Sequence, residues 1–320
     1  MNAFARRVLA FSLTILLLLT AAGCSRSGEA VLGETDYTSS FYYPFTDDAG
    51  REVILSARPQ KVAVLFSSFA EVWTLAGGEV AVTVGESVER GFADETAVLV
   101  DDGAGKSINL ELLLAAEPDF VICSADVPAQ AEAAELLRSA GIPAACFRVE
   151  TFEDYLRMLR VCTDITGDMA AYEIHGTAVA ERIEELLNGA AVADADILFI
   201  RAGSGESATK AKTAGQHFAA AMLEELGVYN IADAAPVLLD GLSMEEILRA
   251  DPDFIFISTM GKESAAKAHM EDVLSQTVWQ EISAVKNGRV IYLPKDLFQF
   301  KPNARWGDAY AYLIEVLYAA

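Results

Sequence analysis

Histidine, cysteine and basic residues are all scarce in this chain, and each scarcity removes a class of function. The three histidines, His175, His217 and His269, lie in separate segments, whereas direct capture of a bare zinc or manganese ion needs clustered imidazoles. Of the four cysteines, Cys24 belongs to the leader, and Cys123, Cys146 and Cys162 show no C-x-x-C spacing. That argues against a disulfide framework or a zinc ribbon. Cys123 and Cys146 end apolar, strand-like runs, where a free thiol packs as a small hydrophobe; a single bridge between them stays open as an alternative. Lysine and arginine number 24 against 47 acidic residues, for a net charge of −23. So acidic a chain is repelled by nucleic acid and by anionic lipid, because both are bound by neutralising phosphates. Neither a G-x-S-x-G elbow nor a Walker A motif is present, which removes the usual signals of a serine hydrolase or an NTPase.

What the chain does have begins with a leader. Arg6 and Arg7 precede an apolar run from Val8 to Leu19, followed by Thr20-Ala21-Ala22-Gly23-Cys24. The run is shorter than the roughly 20 apolar residues needed to span a bilayer and reads as an export signal. Small residues ahead of Cys24 resemble a bacterial lipobox, which implies acylation of Cys24 and a membrane anchor. Ala21 stands where leucine is commonest, and a plain secretory signal is the alternative. Residues 24–40 are polar and rich in Gly, Ser and Thr, as expected of a flexible tether. At 52% apolar content the remainder has ample material for packed cores, so disorder is excluded.

Beyond the tether, Tyr43 to Leu55 reads as a β-hairpin turning at Asp48-Ala49-Gly50. Apolar β-rich runs then alternate with helical patterns, the mark of βαβ units and mainly parallel sheets. The first series of strands is Val62 to Phe66, Val80 to Val84, Phe120 to Cys123 and Ala144 to Arg148, with helices at Phe69 to Ala76 and Ala129 to Ser139. The second series is Ile197 to Arg201, Phe254 to Ser258 and Val290 to Leu293, with helices at Phe218 to Leu226, Met244 to Ala250 and Arg305 to Ala319. Between them Thr151 to Gly189 is helical, with a break at Gly167-Asp168 where Asp168 can cap the next helix. Met169 to Leu187 would run about 28 Å at 1.5 Å per residue, enough for a strut between two lobes. The expected fold is therefore α/β, with two lobes, each a mainly parallel sheet flanked by helices, joined by a single long interdomain helix. The expected boundaries are 1–23 for the signal peptide, 24–40 for the tether, 41–150 for the N-terminal lobe, 151–190 for the linking helices and 191–320 for the C-terminal lobe.

An internal repeat supports two similar lobes. The segment from Asn109 to Ser124, NLELLLAAEPDFVICS, aligns without gaps with Ser243 to Ser258, SMEEILRADPDFIFIS. Each copy offers an N-cap residue, a short amphipathic helix, a proline that ends it and a buried strand. Ser243 and Glu246 have the spacing of a capping box. A unit recurring once in each half points to a pseudo-two-fold relation rather than to a solenoid, which needs several copies.

The repeat also belongs to a wider resemblance. Thr46-Asp-Asp-Ala-Gly-Arg-Glu-Val53, Arg58-Pro-Gln-Lys-Val-Ala-Val-Leu65, the two Pro-Asp units, Leu226-Gly-Val-Tyr-Asn-Ile231 and Val285-Lys-Asn-Gly-Arg-Val-Ile-Tyr292 occur in this order behind a lipobox. Together they resemble the substrate-binding lipoproteins of ABC importers for iron-siderophore complexes, haem and cobalamin, from about Phe45 to the C-terminus. The resemblance implies two rigid lobes around a cleft that holds a small-molecule metal chelate, with no catalytic step and no cofactor. It also implies a partner, an ABC permease dimer with its ATPase subunits, met by one acidic residue on each lobe. Glu111 and Glu245 hold the matching positions in the repeat and are the expected docking pair; a solvated helix-surface charge is the plainer reading of each. A monomer is expected, held outside the cytoplasmic membrane by the lipid on Cys24.

Ligand contacts are sought in the loops that follow strands, since open α/β sheets bind at the carboxyl ends of their strands. These loops give Phe66, Ser67, Ser68, Glu86, Ser124, Arg201, Ser204, Thr259, Phe298, Phe300, Lys301, Arg305 and Trp306, with Ser87, Ser258, Met260 and Gln299 beside them. Aromatics next to Arg and Lys suit a planar or chelated anion, although packing in a lobe core is the commoner fate of any one aromatic. Gly203-Ser-Gly-Glu-Ser-Ala208 fits a relaxed dinucleotide fingerprint but reads better as cleft lining in an exported protein. His217, beside Phe218, is expected as a surface residue at a helix start, with ligand contact as the alternative. Two further functions stay open at this point: an exported enzyme on the same two-lobed scaffold, and a sensing lipoprotein without an importer.

Overall fold

The computed structural model describes residues 41–101, 107–190 and 194–318. Cys24, the signal and the tether lie outside the described residues. The chain first forms the antiparallel hairpin of β1 (Tyr43–Thr46) and β2 (Glu52–Leu55). Its turn closes on Gly50 at φ +77°, a conformation that costs glycine nothing. The buried Asp47 carboxylate accepts hydrogen bonds from the amides of Ala49 (3.1 Å), Arg51 (2.9 Å) and Cys146 (3.0 Å). The acidic turn read in the sequence thus pins the hairpin to the strand that carries Cys146.

The first sheet follows, through β3 (Val62–Val64), α1 (Ser67–Leu75), β4 (Val82–Thr83), α2 (Gly85–Glu89), β5 (Val98–Leu99), α3 (Leu110–Ala115), β6 (Phe120–Ser124), α4 (Pro128–Ser139) and β7 (Ala144–Phe147). Its strands are all parallel in the order β5-β4-β3-β6-β7. Next come α5 (Phe152–Thr166), α6 (Met169–Tyr172), a π-helical turn (Glu173–Thr177) and α7 (Ala178–Gly189). The second sheet is built from β8 (Asp196–Ala202), β9 (Lys210–Ala211), α8 (Phe218–Glu225), β10 (Tyr229–Asn230), α9 (Met244–Ala250), β11 (Phe254–Thr259), α10 (Glu263–Leu274), α11 (Ser283–Lys286) and β12 (Val290–Tyr292); α12 (Lys295–Phe298) and α13 (Trp306–Tyr318) close the chain. Its order is β10-β8-β11-β12, parallel, with β9 turned back antiparallel on β8. The β4-β3-β6-β7 and β10-β8-β11-β12 paths are the same topology written twice, so the α/β architecture is two-lobed as the sequence predicts.

The repeat survives in detail. Glu117 and Asp251, at matched positions, both take left-handed backbone, φ +48° and +44°. Asp119 and Asp253 then do the same job in each half. Asp119 N–H donates to Lys61 O at 3.0 Å and its carboxylate accepts from the Gln60 and Lys61 amides. Asp253 N–H donates to Asp196 O at 2.7 Å and its carboxylate accepts from Asp196 N–H. Each clamp sets the register between a central strand and the neighbour that begins its sheet. The helix starts differ, however. Asn109 caps α3 through the Leu112 amide at 3.1 Å, but the expected Ser243–Glu246 box does not form: the Ser243 side chain makes no cap bond, and Glu246 instead pairs with Arg249 one turn on. Full capping boxes form instead at Thr151 and Asp154, at the start of α5, and at Thr213 and Gln216.

Gly167 ends α5 at φ +77°, and Asp168 caps the next helix through the Ala171 amide at 3.0 Å, as the break in the pattern predicts. Helical structure then runs on to Gly189, interrupted only by the π turn. Alternation of side chains gives each sheet two faces. Ala63, Leu65, Val121, Cys123, Ala144 and Cys146 face an outer core shared with α3 and α4. Leu198, Ile200, Ala202, Ile255 and Ile257 face another, with α9 and α10. The opposite faces, carrying Val62, Val64, Phe120, Ile122 and Phe147 from one sheet and Ile197, Phe199, Phe254 and Phe256 from the other, belong to a single apolar core with α1, α5, α8 and α13. Cys123 and Cys146 stand opposite each other in register, buried and unbridged.

Candidate functional site

Loops at the carboxyl ends of the two sheets meet. Asn303, just before α13, is fully buried at φ +50°. Its Nδ2 donates to the Ser68 carbonyl at 2.8 Å and to the Glu71 carboxylate at 2.9 Å, joining the end of the chain to α1. Lys301 pairs with Glu150, past the end of β7, at 3.0 Å. Phe300 lies under the guanidinium of Arg90, 4.0 Å from it, and 5.0 Å from the Lys295 ammonium. The order of the first sheet reverses between β3 and β6, and that of the second between β8 and β11. Such switch points open a crevice in doubly wound sheets.

Arg90 is the hub of the N-terminal side. Its Nη1 donates to the hydroxyls of Ser67 (3.0 Å) and Ser68 (3.3 Å), its Nη2 pairs with Glu71 at 3.3 Å, and its guanidinium also lies over Phe92 at 4.7 Å. Ser67 passes its own proton toward Glu86. Burial pushes the Glu71 carboxyl above the usual carboxylate range, against the pull of the Asn303 hydrogen bond and the Arg90 charge.

The C-terminal side is dominated by positive charge. Arg201 and Lys210 are direct cross-strand partners in the β8–β9 ribbon, so their side chains share a face, and period-two alternation puts Lys212 there as well. Like charges directly opposite on a ribbon are destabilising. Among the described residues neither Arg201, Lys210, Lys212 nor Lys295 has a carboxylate partner. Burial lowers the Lys212 ammonium, helped by Arg201 and Lys210. His217 sits beside this set at 8% exposure, between the rings of Phe199 and Phe218 at centroid distances of 4.7 and 4.9 Å. Its Nδ1 accepts the Ala219 amide at 3.2 Å, capping α8, which fixes the neutral tautomer with its proton on Nε2. Burial first, then the charges of Arg201, Lys301 and Lys212, hold its pKa well below the ordinary value. The expectation of a surface histidine is thus corrected: the ring is packed because Phe199 and Phe218 enclose it.

The other expected residues divide. Phe66, Ser67, Ser68, Glu86, Phe300 and Lys301 gather where the loops meet, and Arg201 and the exposed Ser204 lie on the loop side of β8. Phe298 and Trp306 are core residues at 0% and 2% exposure, packed on Phe218, because the shared core draws in the aromatics that begin and end this loop. Arg305 is exposed and pairs with Asp296 and Asp308. The Ser124 hydroxyl accepts from the Asp126 amide and braces its own loop, while the Thr259 hydroxyl donates to Gln299 Oε1 at 3.1 Å and ties the end of β11 to the segment after α12. The Gly203–Ala208 loop leads into β9 rather than into a helix, with the Thr209 hydroxyl tying Gly203 to Gly205. It therefore lacks the strand-to-helix turn a dinucleotide loop requires. Reading the sequence missed Arg90, Glu71, Lys210, Lys212 and Asn303. The alternation Lys210-x-Lys212 after a Gly-rich turn was the available signal for two of them.

Two duplicated parallel sheets that meet through their carboxyl-end loops, with cations gathered beside that meeting place, define a protein built to hold a solute. The chain belongs to the periplasmic binding protein family, which it matches over residues 62–297. Family membership makes it an extracytoplasmic solute-binding protein rather than an enzyme. A search among curated proteins finds no match. Solved structures share its fold. Staphylococcus aureus SirA, complexed with staphyloferrin B, is 16% identical with a TM-score of 0.64, over 87% of this chain and 97% of that one. The periplasmic heme-binding protein RhuT of Roseiflexus sp. RS-1 is 18% identical with a TM-score of 0.67, over 81% and 98%. The petrobactin-binding protein YclQ of Bacillus subtilis is 18% identical with a TM-score of 0.67, over 86% and 96%. No helix among the described residues is long and apolar enough to cross a membrane.

Proposed function

We propose that this protein captures an anionic metal chelate, a ferric siderophore, haem or corrinoid, where its two carboxyl-end loop sets meet, and delivers it to an ABC permease dimer. The observation that carries the reading is the like-charged set Arg201, Lys210 and Lys212 on one ribbon face of a chain whose net charge is −23. Cations left without carboxylates in so acidic a protein are explained by an anion that arrives from outside. Phe300, Arg90 and Lys301 supply the stacking and charge-assisted bonds that suit such a ligand. The names of the structural relatives, a staphyloferrin complex, a heme-binding protein and a petrobactin-binding protein, support the chelate class. Glu111 and Glu245 meet the permease, and the lipid on Cys24 keeps the protein at the membrane.

The test is a fluorescence titration with a panel of ferric polycarboxylate and catecholate complexes, haemin and cyanocobalamin. One anionic member binds the parent protein, and Arg201→Gln or Lys212→Gln weakens it by about tenfold to a hundredfold, the worth of one charge-assisted hydrogen bond. Equal affinity in parent and variants would remove the basic face from the site.

A further inference from the structure

The two helices of the repeat carry more in common than their glutamates. In α3, Glu111 and Leu114 are one turn apart, and in α9 Glu245 and Leu248 hold the matched positions. Residues three apart lie on one face of a helix. Leu114 is 39% exposed and Leu248 41%, and neither packs against a core cluster, whereas the residue before each, Leu113 and Ile247, is fully buried and anchors its helix. Among the described residues Glu111 and Glu245 have no ion pair and no side-chain hydrogen bond. Their neighbour Glu246 differs, being paired with Arg249. A lone exposed leucine calls for no explanation. The same exposed leucine beside the same unpaired glutamate, once in each half, does.

We propose that Glu111 with Leu114, and Glu245 with Leu248, form two matched feet, each a carboxylate beside an apolar knob, that seat on the two halves of the permease dimer. This rests on the permease-docking reading of Glu111 and Glu245 and adds the apolar half of the contact. Duplication of the feet calls for a partner that presents two equivalent receptors, as a two-fold membrane dimer does. Each receptor then places a cation, to complement the carboxylate, beside an apolar cup for the leucine. In such a foot the carboxylate steers encounter and fixes register, and the leucine slows dissociation. Leu112 is 47% exposed on the same helix but points about 100° away from Glu111, and its counterpart is the paired Glu246. It is outside the foot and serves as the control.

The experiment measures binding of the full mature chain to the host's importers of this class, each purified in lipid nanodiscs, at low and high salt. The variants are the pairs Leu114→Ala with Leu248→Ala and Glu111→Gln with Glu245→Gln, and the single Leu112→Ala. The leucine pair weakens binding to one importer by about tenfold or more at both salt concentrations, chiefly through faster dissociation. The glutamate pair weakens it mainly at low salt, and Leu112→Ala leaves it unchanged. Because the leucines are exposed and alanine favours helix, thermal unfolding of all variants stays at the parent value. If the glutamate pair weakens docking and the leucine pair does not, the apolar half is wrong and the docking reading stands. If neither pair matters, or no importer binds the parent chain, both fail. An equal loss with Leu112→Ala would overturn the assignment of the foot to the Glu-facing side.

Discussion

Asn303 joins the end of the chain to α1, and its replacement by alanine is the sharpest test of how the two halves are held. Alanine removes a hydrogen bond to the Glu71 carboxylate at 2.9 Å, worth about 1.5–3 kcal/mol as a bond to a charged group. It removes another to the Ser68 carbonyl at 2.8 Å, worth about 0.5–1.5 kcal/mol. It also leaves on backbone at φ +50° a residue without the short polar side chain that lets asparagine tolerate the left-handed region, a cost of about 1–2 kcal/mol. Since these losses share one site they do not simply add, and about 3–5 kcal/mol is expected for Asn303→Ala. Asn303→Gly, free of the backbone penalty, falls about 1 kcal/mol short of that. The loss also depends on pH. The Asn303 bond pulls down a Glu71 pKa that burial has raised, so the variant raises it further. An acid whose folded pKa lies above its unfolded value destabilises the folded state when ionised, and the deficit shrinks as pH falls through the folded pKa. The alanine variant is therefore most impaired near pH 8 and partly recovers toward pH 5. Equilibrium urea unfolding of parent, Ala and Gly variants at both pH values measures this. A deficit under about 0.5 kcal/mol at pH 8, or one that grows on acidification, would refute the reasoning.

His217 gives a second pH signature: its pKa is depressed in the fold, so its contribution to stability is present above the unfolded value of about 6.5 and is lost as pH falls below it, at up to about 1.4 kcal/mol per pH unit. His217→Asn keeps a capping oxygen and abolishes this slope in denaturant titrations between pH 7.5 and 5; an unchanged slope would assign it elsewhere. The left-handed pair Glu117 and Asp251 should respond unequally to glycine: Glu117→Gly gains about 1 kcal/mol by relieving its backbone. Asp251→Gly forfeits that gain because its carboxylate accepts from the Ser283 amide and hydroxyl, both at 2.7 Å, and equal thermal shifts for the two would contradict the account.

The duplicated scaffold was legible because its signals are local. The run from Asn109 to Ser124 and its partner from Ser243 to Ser258 spell out helix, stop and buried strand in consecutive residues, and the left-handed residue with its Asp clamp follows in both halves. The two-residue strands β5, β9 and β10 were not legible, since so short a run has no period and forms only where a longer strand offers a partner. The site was harder for the same reason. Arg201, Ser67 and Phe300 could be found by asking which residues follow strands. Arg90 follows directly on a helix of five residues, too short for a pattern, and what matters about Asn303 is a carbonyl 235 positions earlier. Phe298 and Trp306 look like ligand-facing aromatics in the sequence, and only the apolar mass common to both sheets decides that they turn inward.

That common mass has a consequence for the molecule's descent as well as its behaviour. Twin halves of this kind look separable, yet one face of each is finished only by the other, so neither would survive being cut free near Glu150. Heating should melt both in a single step, and chimaeras that borrow half from a distant cousin should fail to fold, because the duplication has outlived the independence of its copies.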